Sequence, residues 1–529
     1  MRPLVLFIMA LFISLNGWAL NFTVDGINYS TMRSTTVEVV RGNYFDAIII
    51  PSTVVYSNVT YSVDAIGLFA FSGCIGLTSI TIPPSVLSIE SSAFSGCTGL
   101  TSITILSSDV SIGSSAFYGC SGLTSITIPP SVTSIGMYAF SGCKGLTSIT
   151  FPPSVLSIGS SAFYGCSGLT SITIPSSVLV IGSDAFQGST GLITVDTNNK
   201  QYSSKDGILY DKYLTGLLWC PISLKGSLDI PSSVKSIEGA AFQGCAGLTS
   251  ITIPPSVMSI GFSSFSGCTG LKSITIPSSV KSFGSSVFSG CTGLTSITIL
   301  SSISYIGFSS FSGCNSLTSI TIPSSVISIE NTAFSGCTGL TSITIPSSVT
   351  SIGYNAFQDC TGLTSINIPS SVTIIGDYAF SGCTGLASIE LNATTPPWLF
   401  SEGVFDMVDK TKCILTVPMG SLYLYKNARF WEDFLTITES NPTGVSDVNL
   451  KKLIIYPSPA LSYVNLELGE SSNITDLIVF NSQGQRVYES QISNKQIQLD
   501  VSHFPSGLYF IKVKGIDNQH QRFGKFIKI

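Results

Sequence analysis

The chain has 529 residues, of which only 10% are charged, and its formal net charge is -5. That length allows several domains, while the shortage of basic residues argues against nucleic acid as a partner. The only histidines, His503 and His520, lie near the C-terminus. The rest of the chain therefore lacks Ser–His and Cys–His pairs and histidine metal sites, and we expect no catalytic residue, no cofactor and no metal.

Residues 1–19 have the composition of a secretory signal peptide. Arg2 supplies a positive charge, an apolar run follows, and small residues come before residue 20. The run is too short for a membrane anchor, and no later stretch is long and apolar enough to span a bilayer. We therefore expect no transmembrane segment in the mature chain.

Residues 20–61 precede the regular part of the sequence. They contain strand-like runs at residues 37–40 and 48–55 and a turn signal at residues 24–27. Because the terminal repeat of a stacked array exposes its apolar end, we expect this segment to be an N-terminal cap.

A 23-residue unit then repeats over residues 62–191 and again over residues 231–391. The copy at residues 77–99 reads LTSITIPPSVLSIESSAFSGCTG. A fixed period of this length predicts a stacked solenoid, since one unit cannot bury its apolar face alone. The clearest copies open at Leu77, Leu100, Leu123, Leu146, Leu169, Leu248, Leu271, Leu294, Leu317, Leu340 and Leu363.

We number the places of a unit from its leucine. Ile80 and Ile82 flank Thr81 at places 4 to 6, an alternation that predicts one short strand per coil, paired in parallel with its neighbours. Pro83 ends the strand because proline has no N–H for a ladder. Phe94, at place 18, begins a short helical or 3₁₀ turn and fills the space behind the strand.

Glycine recurs at place 14, as in Gly113, and suggests a tight turn in which glycine would permit a positive φ. Glu90 also stands at this place, so a positive φ is not obligatory.

The unit resembles the BspA-type, or Treponema-type, leucine-rich repeat, whose pattern is L-x-x-I-x-I-P-x-x-V-x-x-I-G-x-x-A-F-x-x-C. The match runs over about residues 62–391. The resemblance implies an α/β leucine-rich-repeat solenoid of 23-residue units on a bacterial surface or secreted protein. It also implies a role in adhesion and protein binding.

Most of the 14 cysteines form a ladder at place 21, where Ser189 replaces cysteine once. In-register stacking brings the Cα atoms within disulfide reach but points every Cβ the same way, so we favour buried thiols over disulfides. Cys220 and Cys413 lie outside the ladder. Its members are Cys74, Cys97, Cys120, Cys143, Cys166, Cys245, Cys268, Cys291, Cys314, Cys337, Cys360 and Cys383.

Residues 192–230 interrupt the period with two runs that read as a hairpin. Insertions of this kind often fall on one face and can bind, although an inert excursion explains them equally well. Four aromatic residues make it the first candidate for partner contact: Tyr202, Tyr210, Tyr213 and Trp219. Tyr138 and Tyr378, at a variable place of the repeat, are further candidates, with packing between turns as the alternative.

Residues 392–440 leave the repeat pattern and resemble the C-terminal cap of such solenoids, with a possible aromatic helix at residues 423–434. Residues 441–446 read as a linker. From residue 447 to residue 529 charge rises and strands alternate, which predicts a small all-β sandwich.

This last segment resembles the type IX (Por) secretion sorting domain. The motifs are YPSPA at residues 456–460, VFNSQGQRV at 479–487, GLYF at 507–510 and a basic end at Lys525 and Lys528. Ser458 stands where asparagine is commoner. A carbohydrate-binding sandwich is the alternative. The resemblance implies export across an outer membrane of a Bacteroidota-type bacterium by the type IX machinery, removal of the domain, and frequent attachment of the product to lipopolysaccharide.

We therefore expect a secreted or surface-attached protein that binds host or microbial surface proteins or glycans. Two other roles stay open: a structural or self-associating spacer without a ligand, and ice or crystal binding by the Ser/Thr rows. The exposed places 2, 3 and 5 of the strand, such as Thr78, Ser79 and Thr81, form those rows.

Overall fold

The structure is a computed structural model that describes residues 19–440, 454–456, 460–467, 474–482, 485–491, 496–515 and 521–529. The signal peptide predicted at residues 1–19, except Ala19, and the linker predicted at residues 441–446 lie outside these ranges. The chain divides into two compact units, residues 1–439 and 440–529. The predicted solenoid is confirmed, with very little helix.

The first strands of most coils form a row that pairs in parallel with a 23-residue offset, as in Ile80 with Ile103 and Ile82 with Ile105. The coils that open at Leu123 and Leu317 join this row only through single bridges. Ile80 and Ile82 are buried, while Thr81 is more exposed, which is the predicted alternation. This first strand row comprises Asp46–Ile49, Leu77–Ile82, Ser102–Ile105, Ser148–Thr150, Ser171–Ile174, Leu192–Val195, Gly226–Asp229, Leu248–Thr252, Ser273–Ile276, Ser296–Ile299, Ser342–Thr344, Ser365–Ile368, Ser388–Leu391, Ile414–Pro418 and Thr436–Ser440.

Each coil also carries a second strand, beyond the single one expected. Places 12 and 13 pair in parallel between coils, as in Ser134 with Ser157 and Ile135 with Ile158. The isoleucine is buried and the serine exposed. This second strand row comprises Ser88–Ile89, Ser111–Ile112, Ser134–Ile135, Ser157–Ile158, Val180–Ile181, Ser236–Ile237, Ser259–Ile260, Ser282–Phe283, Tyr305–Ile306, Ser328–Ile329, Ser351–Ile352, Ile374–Ile375 and Trp398–Leu399.

Places 14 to 21 form a turn segment rather than a helix. N–H groups alternate in direction: those of Ala93 and Ser95 donate three residues back, while those of Ser92 and Phe94 donate to the next coil. Place 16 has a left-handed backbone, as at Ser92 (φ 57°), and so has Gly96 at place 20 (φ 76°). These two conformations interrupt any helix.

The glycine of place 14 is conserved between coils for a reason other than backbone conformation. Gly113 is not left-handed; instead, a Cβ there would lie 2.7 Å from the backbone nitrogen of Ser91 in the preceding coil. The close approach of the neighbouring coil therefore explains the glycine at place 14. The positive φ suggested for that place is found at place 16 instead.

The core lies between the two strand rows and the turn segments. Phenylalanines of place 18 stack coil on coil, as Phe94 on Phe117 with ring centroids 5.3 Å apart and nearly parallel planes. Two buried clusters share this core, one before and one after the insertion.

The N-terminal segment closes the first end of the core. Asn21–Val24 and Ile27–Arg33 form a hairpin around Asp25 and Gly26, as the turn signal predicts. The run expected at residues 48–55 is two strands, because Pro51 lies between Asp46–Ile49 and Thr53–Tyr56. The other strands here are Thr36–Val39 and Val59–Ile66, and the latter continues into the second strand row.

The C-terminal segment closes the other end. It contains a 3₁₀ helix at Glu402–Phe405 and an α-helix at Leu422–Lys426. The helix expected at residues 423–434 is shorter because Asn427 (φ -115°, ψ 6°) already leaves the helical conformation after Lys426. Trp431 then turns inward and packs against Phe405, the last ring of the phenylalanine stack.

The second unit consists of two antiparallel sheets over one apolar core. One sheet contains Ile454–Tyr456, Tyr463–Glu467 and Gln496–Asp500, and the other contains Ile474–Asn481, Arg486–Gln491, Gly507–Gly515 and Gln521–Lys528. Val464 and Leu499 of the first sheet share the core with Val479 and Ile511 of the second. These contacts make the unit a small sandwich.

Candidate partner-binding surfaces

The insertion forms three further strands: Tyr202–Lys205, Ile208–Asp211 and Gly216–Trp219. They are antiparallel to one another, and Gly216–Trp219 then pairs in parallel with Ser236–Ile237. The preceding strand Leu192–Val195 still belongs to the first strand row. The insertion is therefore built into the second strand row rather than attached outside it.

Side chains of the insertion alternate between the two halves of the core. Leu209 and Trp219 pack in the cluster that precedes the insertion, and Trp219 contacts Phe186 with ring centroids 5.9 Å apart. Ile208 and Tyr210 pack in the cluster that follows it. The three insertion strands thus form a layer between the two blocks of repeats, and this layer is called the wall below.

Two polar side chains join this wall to the coil before it. The hydroxyl of Tyr202 accepts a hydrogen bond from the backbone N–H of Ile181 at 2.8 Å. Asn199 is fully buried: its amide donates to the carbonyls of Pro175 and Val178, and its carbonyl accepts from the backbone N–H groups of Gln201 and Tyr202.

Burial corrects part of the prediction for partner contact. Tyr210 is 1% exposed and Trp219 is 5% exposed, because their strands face the solenoid core, so neither can form a direct contact surface. Tyr202 is partly buried, and Tyr213 is 80% exposed. Of the four insertion aromatics, Tyr213 alone presents most of its side chain to solvent.

The turn segments display the other candidates. Tyr138 and Tyr378 are each 43% exposed at place 16 of their coils, and both have the left-handed backbone of that place. Strand registry aligns equivalent places of successive coils on one face. Further exposed residues at places 15 and 19 are Met137, Phe262, Phe308, Tyr354, Tyr118 and Tyr164.

Some hydroxyl groups of the Ser/Thr rows on the first strands form hydrogen bonds within the solenoid. At place 2, the hydroxyl of Thr124 donates to the carbonyl of Thr101, and that of Thr147 donates to the carbonyl of Thr124. Only places 3 and 5 therefore present free hydroxyl rows. The sequence indicated the rows but not this internal use of place 2.

The ladder cysteines are free and buried. Each thiol of a regular coil donates to the phenylalanine carbonyl 26 positions earlier, as Cys166 does to Phe140 at 3.1 Å. Ser189 makes the same contact with Phe163 at 2.9 Å. Burial raises the pKa of Cys166 to about 12, so the thiol stays protonated and unreactive at neutral pH.

Sequence reasoning missed a cavity of about 890 Å³ beside the C-terminal segment. Trp398, which is largely exposed, and Pro397 line it, as does Arg429, whose guanidinium lies 4.5 Å from the ring centre of Phe430. The Pro-Pro-Trp run was the available signal. No group of three His, Cys, Asp or Glu side chains in the described ranges could hold a metal ion.

This fold defines a leucine-rich-repeat solenoid, and comparison with known families identifies its kind. Residues 52–129, 110–217, 219–326 and 305–406 match the BspA type leucine rich repeat region. These matches cover more than half of the chain, so the chain belongs to that family. Residues 454–528 match the secretion system C-terminal sorting domain.

Solved structures of bacterial leucine-rich-repeat proteins are similar. A leucine rich cell surface protein from Faecalibacterium prausnitzii is 31% identical, covering 70% of this chain and 94% of its own, with a TM-score of 0.49. A leucine-rich repeat protein from Bacteroides ovatus is 29% identical, covering 79% and 100%, with a TM-score of 0.43. The pneumococcal vaccine antigen PcpA, 19% identical over 80% and 99% with a TM-score of 0.50, shares the fold. The comparison with curated proteins found no match.

The sorting domain establishes the route of this protein. It directs type IX export to the cell surface or the medium. Within the described residues, no helix is both long enough and apolar enough to cross a membrane.

Proposed function

We propose that this protein binds protein or glycan ligands outside the cell through its turn segments, and that it has no catalytic role. Export and membership of a surface leucine-rich-repeat family support an extracellular binding role. The binding surface consists of the exposed aromatic side chains at places 15, 16 and 19, with Tyr213 of the insertion as a separate contact.

The observation that carries this proposal is the presence of tyrosine at a left-handed position. Most coils have a small or polar residue at place 16, such as Ser115 and Ser161, with the same backbone conformation. A bulky residue there costs roughly 1 kcal/mol or more. Tyr138 and Tyr378 bear that cost while half-exposed, and aromatic side chains dominate binding energy at protein interfaces.

The test compares full-length wild type with the triple variant Tyr138→Ser, Phe308→Ser and Tyr378→Ser on an array of glycans and extracellular-matrix proteins. Serine is the residue of other coils at these places, so folding should be preserved. We expect the signals given by the wild type to fall about tenfold or more, as for loss of interface hot spots.

A matched control removes three exposed hydroxyl groups of the first strand row while keeping the β-branched shape, with Thr104→Val, Thr173→Val and Thr298→Val. We expect this variant to bind as the wild type does. Loss of binding in the control but not in the aromatic variant would place the site on the hydroxyl rows instead.

The near-identity of the coils favours a second function, that of a spacer without a ligand. A spacer needs only uniform stacking, which the repeated 23-residue registry provides. In that case the wild type would give no array signals, and changing the number of coils would alter surface display without altering binding.

A further inference from the structure

A cavity of about 430 Å³ lies where the insertion meets the coil before it and the coils after it. The cavity exists because the coil between these neighbours, which contains Leu217 and Cys220, has a short turn. Leu217 pairs with Ile237, at place 13, and the N–H of Cys220 donates to the carbonyl of Ala241, the contact that place 18 makes in regular coils. Only Leu218 and Trp219 lie between, where a regular coil has the four residues 261–264.

The missing turn leaves backbone groups of both neighbours without partners. In regular coils the N–H groups of places 16 and 18 donate to the next coil, as Ser161 does to Ser183 and Phe163 does to Ala185. The equivalent N–H groups of Asp184 and Phe186 have no acceptor among the described residues, and both residues line the cavity.

A backbone acceptor lies in the coil that follows the insertion. The carbonyl of Gly239, at place 15, receives no hydrogen bond from any described residue, whereas equivalent carbonyls such as that of Ser183 do. Gly239 lines the cavity, as does the ring of Trp219, which is 5% exposed. The indole Nε1 of Trp219 has no hydrogen-bond partner and almost no accessible surface, so it is not an open donor in the cavity.

The charges around the cavity have one sign. Asp184, Asp211 and Glu238 line it, together with apolar rings and no Lys, Arg or His. The carboxylate of Asp211 accepts a hydrogen bond from the backbone N–H of Thr215, and the carboxylate of Glu238 accepts one from the hydroxyl of Ser236 at 2.8 Å. No described residue donates a hydrogen bond to the carboxylate of Asp184, and burial raises its pKa.

We propose that this cavity binds an extended peptide segment that carries basic side chains. The peptide carbonyls accept from the N–H groups of Asp184 and Phe186, and a peptide N–H donates to Gly239. The two backbone donors are two residues apart, and in regular coils the equivalent pair donates to two carbonyls that are also two residues apart. An extended peptide repeats its carbonyls on one side at that interval. The basic side chains meet the carboxylates.

A sugar would satisfy the carboxylates and the aromatic rings equally well. It does not present acceptors at the two-residue spacing of a polypeptide, which is why the backbone donors favour a peptide. The site is separate from Tyr138, Phe308 and Tyr378, so it stands whether or not those residues bind a ligand.

The test measures binding of the capped pentapeptide acetyl-valyl-lysyl-valyl-lysyl-valinamide to the full-length chain by isothermal titration calorimetry. We expect binding that weakens as salt concentration rises, and none for the same peptide with glutamate in place of lysine. Spermidine and a panel of monosaccharides serve as probes for charge alone and for sugars.

Two variants locate the site. Asp184→Asn and Glu238→Gln each remove a charge from the lining of the cavity. We expect each to weaken binding about fivefold or more. Glu330→Gln is the matched control, because Glu330 accepts from Ser328 as Glu238 does from Ser236 but lies away from the cavity; it should bind as the wild type does.

Unchanged unfolding midpoints will show that the variants are folded. The proposal is overturned if the lysine peptide does not bind, which would leave the cavity to water, or if it binds to Asp184→Asn and Glu238→Gln as tightly as to the wild type. Equal binding of spermidine would reduce the site to charge attraction, and preferential binding of a monosaccharide would make it a sugar site; either result contradicts the proposal.

Discussion

One phenylalanine and one thiol from nearly every regular coil form rows through the core on each side of the insertion, and these rows link neighbouring coils. Phe163 is fully buried and stacks between Phe140 and Phe186 at centroid distances of 5.2 and 5.8 Å. Aromatic pairs of this kind contribute beyond the area that they bury. Each ring therefore links two coils as well as filling its own.

Replacing that ring should be costly. We expect Phe163→Ala to lower the free energy of unfolding by about 3–5 kcal/mol, because it opens a cavity in the core. Urea denaturation measures the change, with Phe308→Ala, a half-exposed ring, as the control expected to lose less than about 1 kcal/mol. Equal losses in the two variants would show that the ring of Phe163 does not carry the packing described.

The thiols should make stability depend on pH in the alkaline range. Burial raises the pKa of Cys166, Cys291 and Cys337 to about 12, whereas an unfolded thiol ionises near pH 8.5. Above about pH 8.5 the unfolded chain binds fewer protons than the folded chain. The contribution is therefore complete below that pH and is lost as the pH rises towards 12.

Cys166→Ser isolates one such thiol, since the same exchange already stands at Ser189. Between about pH 9 and 11, we expect the free energy of unfolding of the variant to fall less steeply, by about 1.4 kcal/mol per pH unit. Urea titrations of both proteins under reducing conditions measure the two slopes. Identical slopes would mean that the thiol of Cys166 is not protected in the folded state.

At the scale of the element, the insertion is a structural wall with one exposed tyrosine. Leu209 and Trp219 belong to the core before it, and Ile208 and Tyr210 belong to the core after it. The exposed ends of two repeat blocks would otherwise face each other without matching coils. The wall covers both ends and leaves the acidic cavity beside it.

Asn199 joins this wall to the first block of repeats, and replacing it should lower the stability of the protein. We expect Asn199→Ala to lower the free energy of unfolding by about 2–4 kcal/mol, since it leaves buried backbone groups without partners. Asn198→Ala is the control, because the side chain of Asn198 is exposed. Hydrogen exchange should also show faster opening at Ile181 in the first variant only. A silent Asn199→Ala would contradict the anchoring role.

At the scale of the whole molecule, the repeats and the sorting domain have separate cores. The repeat unit contains both large buried clusters, and the sandwich has its own cluster between two sheets. Independent cores allow one unit to be removed after export without unfolding the other.

This separation predicts the behaviour of a truncated chain. A protein that ends at residue 440 should unfold at the same urea concentration as the repeat transition of the full-length chain. Circular dichroism follows both transitions. In surface-attached material from the native host, mass spectrometry should find no peptide containing His503; its presence there would contradict removal of the sorting domain.

The sequence alone predicted the first strand and the core of the coil. Its period and its places for Ile80, Ile82 and Phe94 predicted the parallel strand, the buried stack and the family, because in-register repetition puts the same side chain in the same surroundings every time. The second strand row was not predicted, since each of its strands has only two residues in most coils, too few to show an alternating pattern. The reason for Gly113 also escaped, because only the neighbouring backbone reveals the close approach.

The insertion shows what the tertiary structure decided. Tyr210, Tyr213 and Trp219 are alike in sequence as aromatic residues in an irregular segment, yet two are buried and one is exposed. Their placement depends on how Gly216–Trp219 pairs with the next coil, an interaction that no local pattern encodes. The unpaired backbone N–H groups of Asp184 and Phe186 arise from the same pairing, because a turn two residues short lacks the carbonyls that accept from them in regular coils.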